Sequence, residues 1–426
     1  MSGGVLGAVA VVVLVCGAGG MLARKVGQPA VVGEIAVGIL LGPTFLGWLW
    51  PRGQQWLLPD EVLPHLAELG NLGLVVFMFL VGLELDVGML RGLRRAVVVV
   101  SQASVWVPLG LGGLLALGLY GTFAPEGVGR AEFVLFVAVA LSVTAFPVLA
   151  RILTEQGLYG TPVGALAMAC AAVVDVVAWC LLAVVVAVAG GGGAGAGLWR
   201  AALAGVFVAG MWWGVRPLLA RAAARWGVRE RGGGVVGLFG GVCLAAYATE
   251  ALGVHALFGA FVFGAVVPRG VKAVESAARR MREFAVPVLL PLFFVGSGLR
   301  TDVGALRGSG AWWWAAAVLG VAVVAKWGAG TAAALAAGVR REDAVLLGAL
   351  MNCRGVTELV VLNVGLGLGV IGVELFTVLV LMALVTTAAT GPVVRALGVR
   401  GRVRGVDGVN GVNGGGGGRF GGRGGR

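Results

Sequence analysis

The sequence predicts an all-α integral membrane protein of about thirteen spanning helices, and three observations carry that expectation. Of 426 residues, 59% are hydrophobic and only 12% are charged, and the mean hydropathy is +0.98. Apolar runs of about 20 residues, the length a helix needs to cross a bilayer, recur along the chain. The runs are continuously apolar rather than alternating, which excludes barrel strands; lipid admits no third arrangement, because backbone groups must be satisfied within the protein.

Between charged or Gly/Pro punctuation the spans fall at roughly 4–22, 30–49, 67–86, 96–119, 132–151, 163–189, 199–218, 234–250, 254–268, 285–299, 311–338, 343–364 and 368–390. The first has no basic residue before it and Arg24 and Lys25 after it, the reverse of a secretory signal, so it is read as a span. The stretch after the thirteenth, residues 393–426, ends in "GVDGVNGVNGGGGGRFGGRGGR", too rich in glycine to build a core, and is expected to be a disordered cytoplasmic tail.

With the N-terminus outside, 25 of the 32 lysines and arginines fall in cytoplasmic loops and 5 outside (Arg52, Arg130, Arg200, Arg300 and Arg307). The other 2, Lys326 and Arg354, lie within spans. The net charge of +12 therefore belongs to loops facing anionic lipid, and no nucleic-acid partner is implied. "RPLLARAAARWGVRER" and "RGVKAVESAARRMREF" read as solvated loops or interfacial helices. Cys16, Cys170, Cys180, Cys243 and Cys353 all fall in apolar runs, which implies neither a disulfide framework nor a resident metal. His65 and His255 lie near span ends, far apart in sequence, and Glu34, Glu84 and Asp86 are expected at the interface. No cofactor is expected, nor an enzyme: the sequence holds no nucleophile with an adjacent base and no phosphate loop.

The informative residues are the charges inside spans, each costing on the order of 3 kcal/mol at mid-bilayer unless it faces protein or water. Asp175 sits near the middle of the sixth span, Lys326 of the eleventh and Arg354 of the twelfth, one depth and so one expected site. Glu358, four residues beyond Arg354, shares its helical face and can neutralise it. In the fifth span, "ALSVTAFPVLARIL", Pro147 leaves the Val143 carbonyl without a helical partner beside the hydroxyls of Ser142 and Thr144. In the twelfth, "GALMNCRGVTELVVLN" gathers Asn352, Arg354, Gly355 and Thr357. Irregular backbone at that depth is tolerated where it lines a cavity, and its oxygens can replace water around a small cation. The fifth and twelfth spans are an odd number apart, so a repeat pairing spans four to six with eleven to thirteen is inverted. Two plainer readings stay open: Pro147 as a simple kink, and Asp175 with Lys326 as a buried ion pair joining two helices.

"VVGEIAVGILLGPTFLG", "FLVGLELDVGMLR", "ALSVTAFPVLARILTEQGL", "HALFGAFVFGAVVP", "LLPLFFVGSGLRTDV" and "GALMNCRGVTELVVLNVGL" run in order from about residue 25 to 390 and resemble the monovalent cation:proton antiporter-2 family. With no cytoplasmic nucleotide-binding domain after the thirteenth span, the likeness is to its sodium/proton and plant exchanger branches more than to Kef-type potassium efflux systems. The resemblance implies a thirteen-helix fold over residues 1–392, likened to a mobile core (about 96–189 and 311–390) and a dimerisation scaffold (about 4–86 and 199–299), with two crossed, broken helices. It implies a homodimer in the cell membrane exchanging Na+ or K+ for H+. Of the family's acid pair in the sixth span, the second member falls on Asp175, which carries cation or proton in turn; the first falls on Val174 and is lost. The family's core lysine falls on Lys326, whose acidic partner is therefore missing. Thr144, Ser142 and the Val143 carbonyl are expected to complete the ion's shell, with Arg354, Glu358 and Asn352 setting the field around it. Electroneutral exchange is favoured, because relatives lacking the first acid tend that way. The alternatives are Kef-like potassium efflux and, given Val174, a degenerate sensor or partner subunit that transports nothing.

Overall fold

The computed structural model describes residues 3–84, 94–189, 193–225, 233–253, 255–306 and 310–407, and the regular structure among them is helical. Helix α1 (Gly3–Lys25) is apolar until Arg24 and Lys25, which suit the negative end of a helix. Helix α2 (Ala30–Leu41) stops at Gly42, because Pro43 disfavours helical backbone in the residue before it. The second span nevertheless runs to Leu49 through the short helix α3 (Leu46–Leu49), and the short helix α4 (Pro51–Leu57) follows it. Helices α5 (Leu63–Glu84) and α6 (Arg94–Phe123) are continuous. The fifth span divides into α7 (Arg130–Ser142) and α8 (Phe146–Glu155), while α9 (Pro162–Ala189) carries Asp175 on an unbroken rod.

A π-helical turn at Met211–Val215 joins α10 (Gly193–Gly210) to α11 (Arg216–Arg225). Helices α12 (Gly233–Ala251) and α13 (Ala256–Val266) follow, the latter capped by the His255 imidazole, which accepts from the Leu257 amide at 3.4 Å. Helix α14 (Lys272–Phe284) is amphipathic: it buries Val274, Ala277, Ala278 and Met281 at helical spacing, and a second π-helical turn leads it into α15 (Leu290–Leu299). Helix α16 (Ala311–Ala336) carries Lys326, and the twelfth span divides into α17 (Arg341–Met351) and α18 (Val356–Gly367). Helix α19 (Val373–Asp407) runs past the end of the thirteenth span into the segment expected to be a tail. Asp86, Arg307 and the tail from residue 408 on lie outside the described residues.

Eleven segments among the described residues are long and apolar enough to cross a membrane. The fifth span is missing from that count because α7 and α8 have only 13 and 10 residues, and the ninth because α13 has 11.

The helices pack mainly in two groups. Helices α1, α2, α5 and α12 to α15 contact one another, with α13 against α5 and α15 against α2, and α6 to α9 pack with α16 to α19. The rod from α10 to α11 touches α9 of one group and α13 of the other, and exposes Val206, Trp212, Trp213 and Leu218. Glycine permits the tightest approaches, as is usual where lipid offers no hydrophobic drive between helices. A Cβ on Gly264 of α13 would lie 2.1 Å from the Phe79 carbonyl of α5, and one on Gly298 of α15 2.4 Å from the backbone of Gly38 in α2.

Candidate functional site

The two broken spans meet at their breaks. Between α7 and α8 the backbone is extended at Val143 (φ −68°, ψ 145°) and Ala145 (φ −94°, ψ 98°). Pro147 lies in the first turn of α8, where its missing N–H would have no helical partner anyway. Pro147 therefore starts a helix instead of kinking one, and Val143 stands outside both helices; its carbonyl is not a helical acceptor stranded by the proline. At the second break, Asn352 to Gly355 link α17 to α18. The Ala145 amide donates to the Cys353 carbonyl and the Thr144 hydroxyl to the Met351 carbonyl, both at 3.1 Å. A Cβ on Gly355 would lie 2.5 Å from the Val148 side chain of α8, so the contact requires glycine for space.

The buried charges serve these broken ends. Arg354, wholly buried, donates to both Glu358 oxygens at 2.7 Å, to the Ala140 carbonyl at 3.2 Å and to the Leu141 carbonyl at 2.8 Å. Lys326, equally buried, donates from Nζ to the Ser142 carbonyl and the Thr144 hydroxyl. Three successive carbonyls at the end of α7 have lost their intrahelical donors and point the negative end of its dipole into the protein; two cations answer them. Glu358 sits in the first turn of α18, where the positive helix end favours an acid.

Asp175 is different. It is 1% exposed, neither oxygen has a hydrogen-bond partner, and it makes no ion pair with Lys326. The reading of Asp175 and Lys326 as a helix-joining ion pair is therefore corrected: with Val174 buried and apolar where an acid might stand, Lys326 turns to neutral acceptors. The Phe146 amide at the start of α8 and the Lys326 ammonium act on Asp175 without completing a hydrogen bond, and Cys353 at the second break is close enough to feel its charge. A bare carboxylate is costly in such a place, and a proton or a small cation removes the cost.

The expected residues thus come together around the two breaks. Ser142 offers its backbone oxygen, its hydroxyl being given to the Val139 carbonyl at 2.8 Å. Asn352 closes α17, and its buried Oδ1 has no partner.

Two cavities separate the groups of helices at opposite ends. One, of about 350 Å³, is lined by Glu34 and Glu84, by Arg151 and Arg282, and by Val148 and Val356 beside the breaks. The other, of about 280 Å³, is lined by Asn71, His255, Ser297, Arg300 and Asn363. Asp175 borders neither. Glu34, read as interfacial, is half-buried and faces Arg151 across the first cavity, whereas Glu84 pairs with Arg282 at the surface as an interfacial acid should. Sequence reading missed Asn363, which donates to the Ser297 hydroxyl at 2.8 Å and accepts from Arg300 at 3.4 Å across the second cavity. A lone polar residue one turn beyond Glu358 was the signal available.

The profile of the sodium/hydrogen exchanger transmembrane family matches residues 10–400. The chain is 38% identical over 383 residues to the Na(+)/H(+) antiporter NhaS4 of Synechocystis, covering 88% of this chain and 92% of that protein. It is 38% identical to cation/H(+) antiporter 20 of Arabidopsis thaliana and 33% to K(+)/H(+) antiporter 1 of Saccharomyces cerevisiae, and spans 46% and 43% of their lengths. Its fold resembles that of the sodium/proton antiporter MjNhaP1 of Methanocaldococcus jannaschii, with a TM-score of 0.69 at 14% identity over 92% of this chain and 98% of that one. By the profile and the Synechocystis relative together, this multi-pass membrane protein belongs to the sodium/hydrogen exchanger family.

Proposed function

We propose that the protein exchanges a monovalent cation, Na+ or K+, for protons by alternating access, the two competing for Asp175. The observation that carries this is a wholly buried carboxylate without a partner where two helix breaks meet. Empty and charged, Asp175 resists passage through the low-dielectric middle of the protein; neutralised by either guest, it passes. Coupling follows from that difference. The names of the Synechocystis and yeast relatives, an Na(+)/H(+) and a K(+)/H(+) antiporter, support the reaction class and leave the cation as Na+ or K+.

In this reading α6 to α9 and α16 to α19 form the moving core, and α1 to α5 and α10 to α15 the scaffold that pairs with a second copy. The packing in two groups and the cavities at opposite ends support it. The broken fifth span and α13 complete thirteen crossings, spans four to six and eleven to thirteen are inverted repeats, and the breaks cross. The N-terminus lies outside and the C-terminus in the cytoplasm, on the distribution of basic residues. Ser142, Val143 and Thr144 offer oxygens to the arriving ion once Lys326 gives way. Lys326 keeps its charge in both loaded states, so one cation exchanges for one proton with no net charge moved.

The test is exchange in everted vesicles and in liposomes of purified protein. Asp175→Asn is expected to abolish cation-dependent proton movement while the protein still inserts, and unchanged exchange would refute the assignment. A wild type that never dissipates a pH gradient on addition of Na+ or K+ would point to a non-transporting subunit.

A further inference from the structure

A second buried polar group without a partner lies one helical turn from Asp175: the Trp179 side chain is 2% exposed and its indole Nε1–H donates to nothing. A buried tryptophan N–H ordinarily finds an acceptor. Both residues sit on the inward face of α9, whose outward face carries Val176 and Cys180. Residues four apart are neighbours on a helix, and helical side chains lean toward the N-terminus, so the indole lies over the turn that holds Asp175. An orphaned donor thus stands beside two orphaned acceptors on one face of one helix.

We infer that Trp179 is a positioning residue for the exchange: its indole N–H donates to the Asp175 carboxylate when the site is empty and is released when a cation or proton loads. This rests on the reading of Asp175 as the carrier, and it adds a side-chain donor for the unloaded anion to the backbone amide of Phe146. Among the described residues the charged neighbours are held elsewhere, although the Nε–H of Arg354 also lacks a partner. Lys326 of α16 is committed to Ser142 and Thr144, Arg354 to Glu358 and the end of α7, and Cys353 at the second break directs its weak donor to the Arg354 carbonyl at 3.8 Å. The Phe146 amide of α8 acts on the carboxylate without completing a bond. The indole competes with the guest, so it weakens binding and speeds release, which a carrier needs if it is to turn over.

Trp179→Phe removes the N–H and keeps the aromatic body. In liposomes at fixed pH it is expected to lower the apparent KM for the cation and the maximal rate together, each by about tenfold, the size of a hydrogen bond to a charged group. In protein labelled with 5-fluorotryptophan, the resonance lost in Trp179→Phe is expected to move when cation is added to the wild type. Where the Phe variant fails to fold, Trp179→Leu assigns the resonance and takes its place in the kinetics. Unchanged KM and rate in a folded variant, or a Trp179 resonance indifferent to cation, would overturn the role of Trp179 and leave the antiport reading standing. A wild type without exchange would sink the antiport reading instead, while the resonance would still report whether cation binding releases the indole.

Discussion

The two breaks meet and use opposite chemistry. The first, Val143 to Ala145, carries no charge of its own: it contributes the carbonyl end of α7 and the Thr144 hydroxyl, and borrows cations from α16 and from the second break. The second, Asn352 to Gly355, brings Arg354 with its own counter-ion Glu358, and the Arg354 carbonyl is held by the Thr387 hydroxyl of α19 at 2.7 Å. One arm is an acceptor surface and the other a neutral charge pair that reaches across to it. Two breaks alike in being non-helical backbone between helices are therefore not alike in their electrostatics. That asymmetry leaves Asp175 as a free carboxylate where the two arms meet.

The largest effect should come from breaking the bridge between the arms. Arg354→Met leaves Glu358 buried without its cation and the Ala140 and Leu141 carbonyls without donors, and removing one partner of a buried pair costs about 3–5 kcal/mol. Thermal melting in detergent checks it. Arg354→Met with Glu358→Leu should recover most of the stability, because a packed apolar pair of similar volume is often as good as a buried ion pair. Exchange should not recover, since the α7 dipole then bears on Lys326 alone. Full exchange in the double variant would mean that the second break's charges serve packing only, and the contrast between the arms would lose its functional weight.

Spacing between the arms comes next. Gly355→Ala puts a methyl 2.5 Å from Val148 of α8 and 3.4 Å from Ala145, and is expected to cost about 1–3 kcal/mol by overpacking. Val148→Ala in the same chain should return most of that loss, and the coupling between the two substitutions measures how closely the arms touch. Additive losses would show that the contact is slack.

Composition and apolar run length made the membrane class legible, and the rarity of mid-span charge singled out Asp175, Lys326, Arg354 and Glu358. What could not be read was partnership. Lys326 and Thr144 are 182 residues apart, and nothing in either local stretch says that the ammonium would choose a hydroxyl and a carbonyl over the carboxylate at the same depth. Pro147 was legible as a disturbance but not as the start of a helix, since a proline at a first turn and one at a kink look alike in sequence. Trp179 gave no sign at all: one indole in an apolar run has meaning only when its N–H is seen to lack a partner.

The smallest expected effects compare one hydroxyl from each arm. Thr144 at the first break accepts from Lys326 and donates to the Met351 carbonyl, so Thr144→Val removes two buried hydrogen bonds, one of them to a charged group. Thr387 donates to the Arg354 carbonyl and to the Ala383 carbonyl in its own helix, and Thr387→Val loses a shared neutral donor. Bonds to charged groups contribute about 1.5–3 kcal/mol and neutral ones about 1, so Thr144→Val should lower stability by two- to threefold more than Thr387→Val. The kinetic contrast should be sharper. With Thr144 gone, Lys326 keeps only the Ser142 carbonyl and the arriving cation loses a ligand, so exchange should fall with Thr144→Val, return with Thr144→Ser and hardly change with Thr387→Val. Equal exchange losses from the two valine variants would mean that both breaks serve the ion alike, contrary to the charge distribution between them.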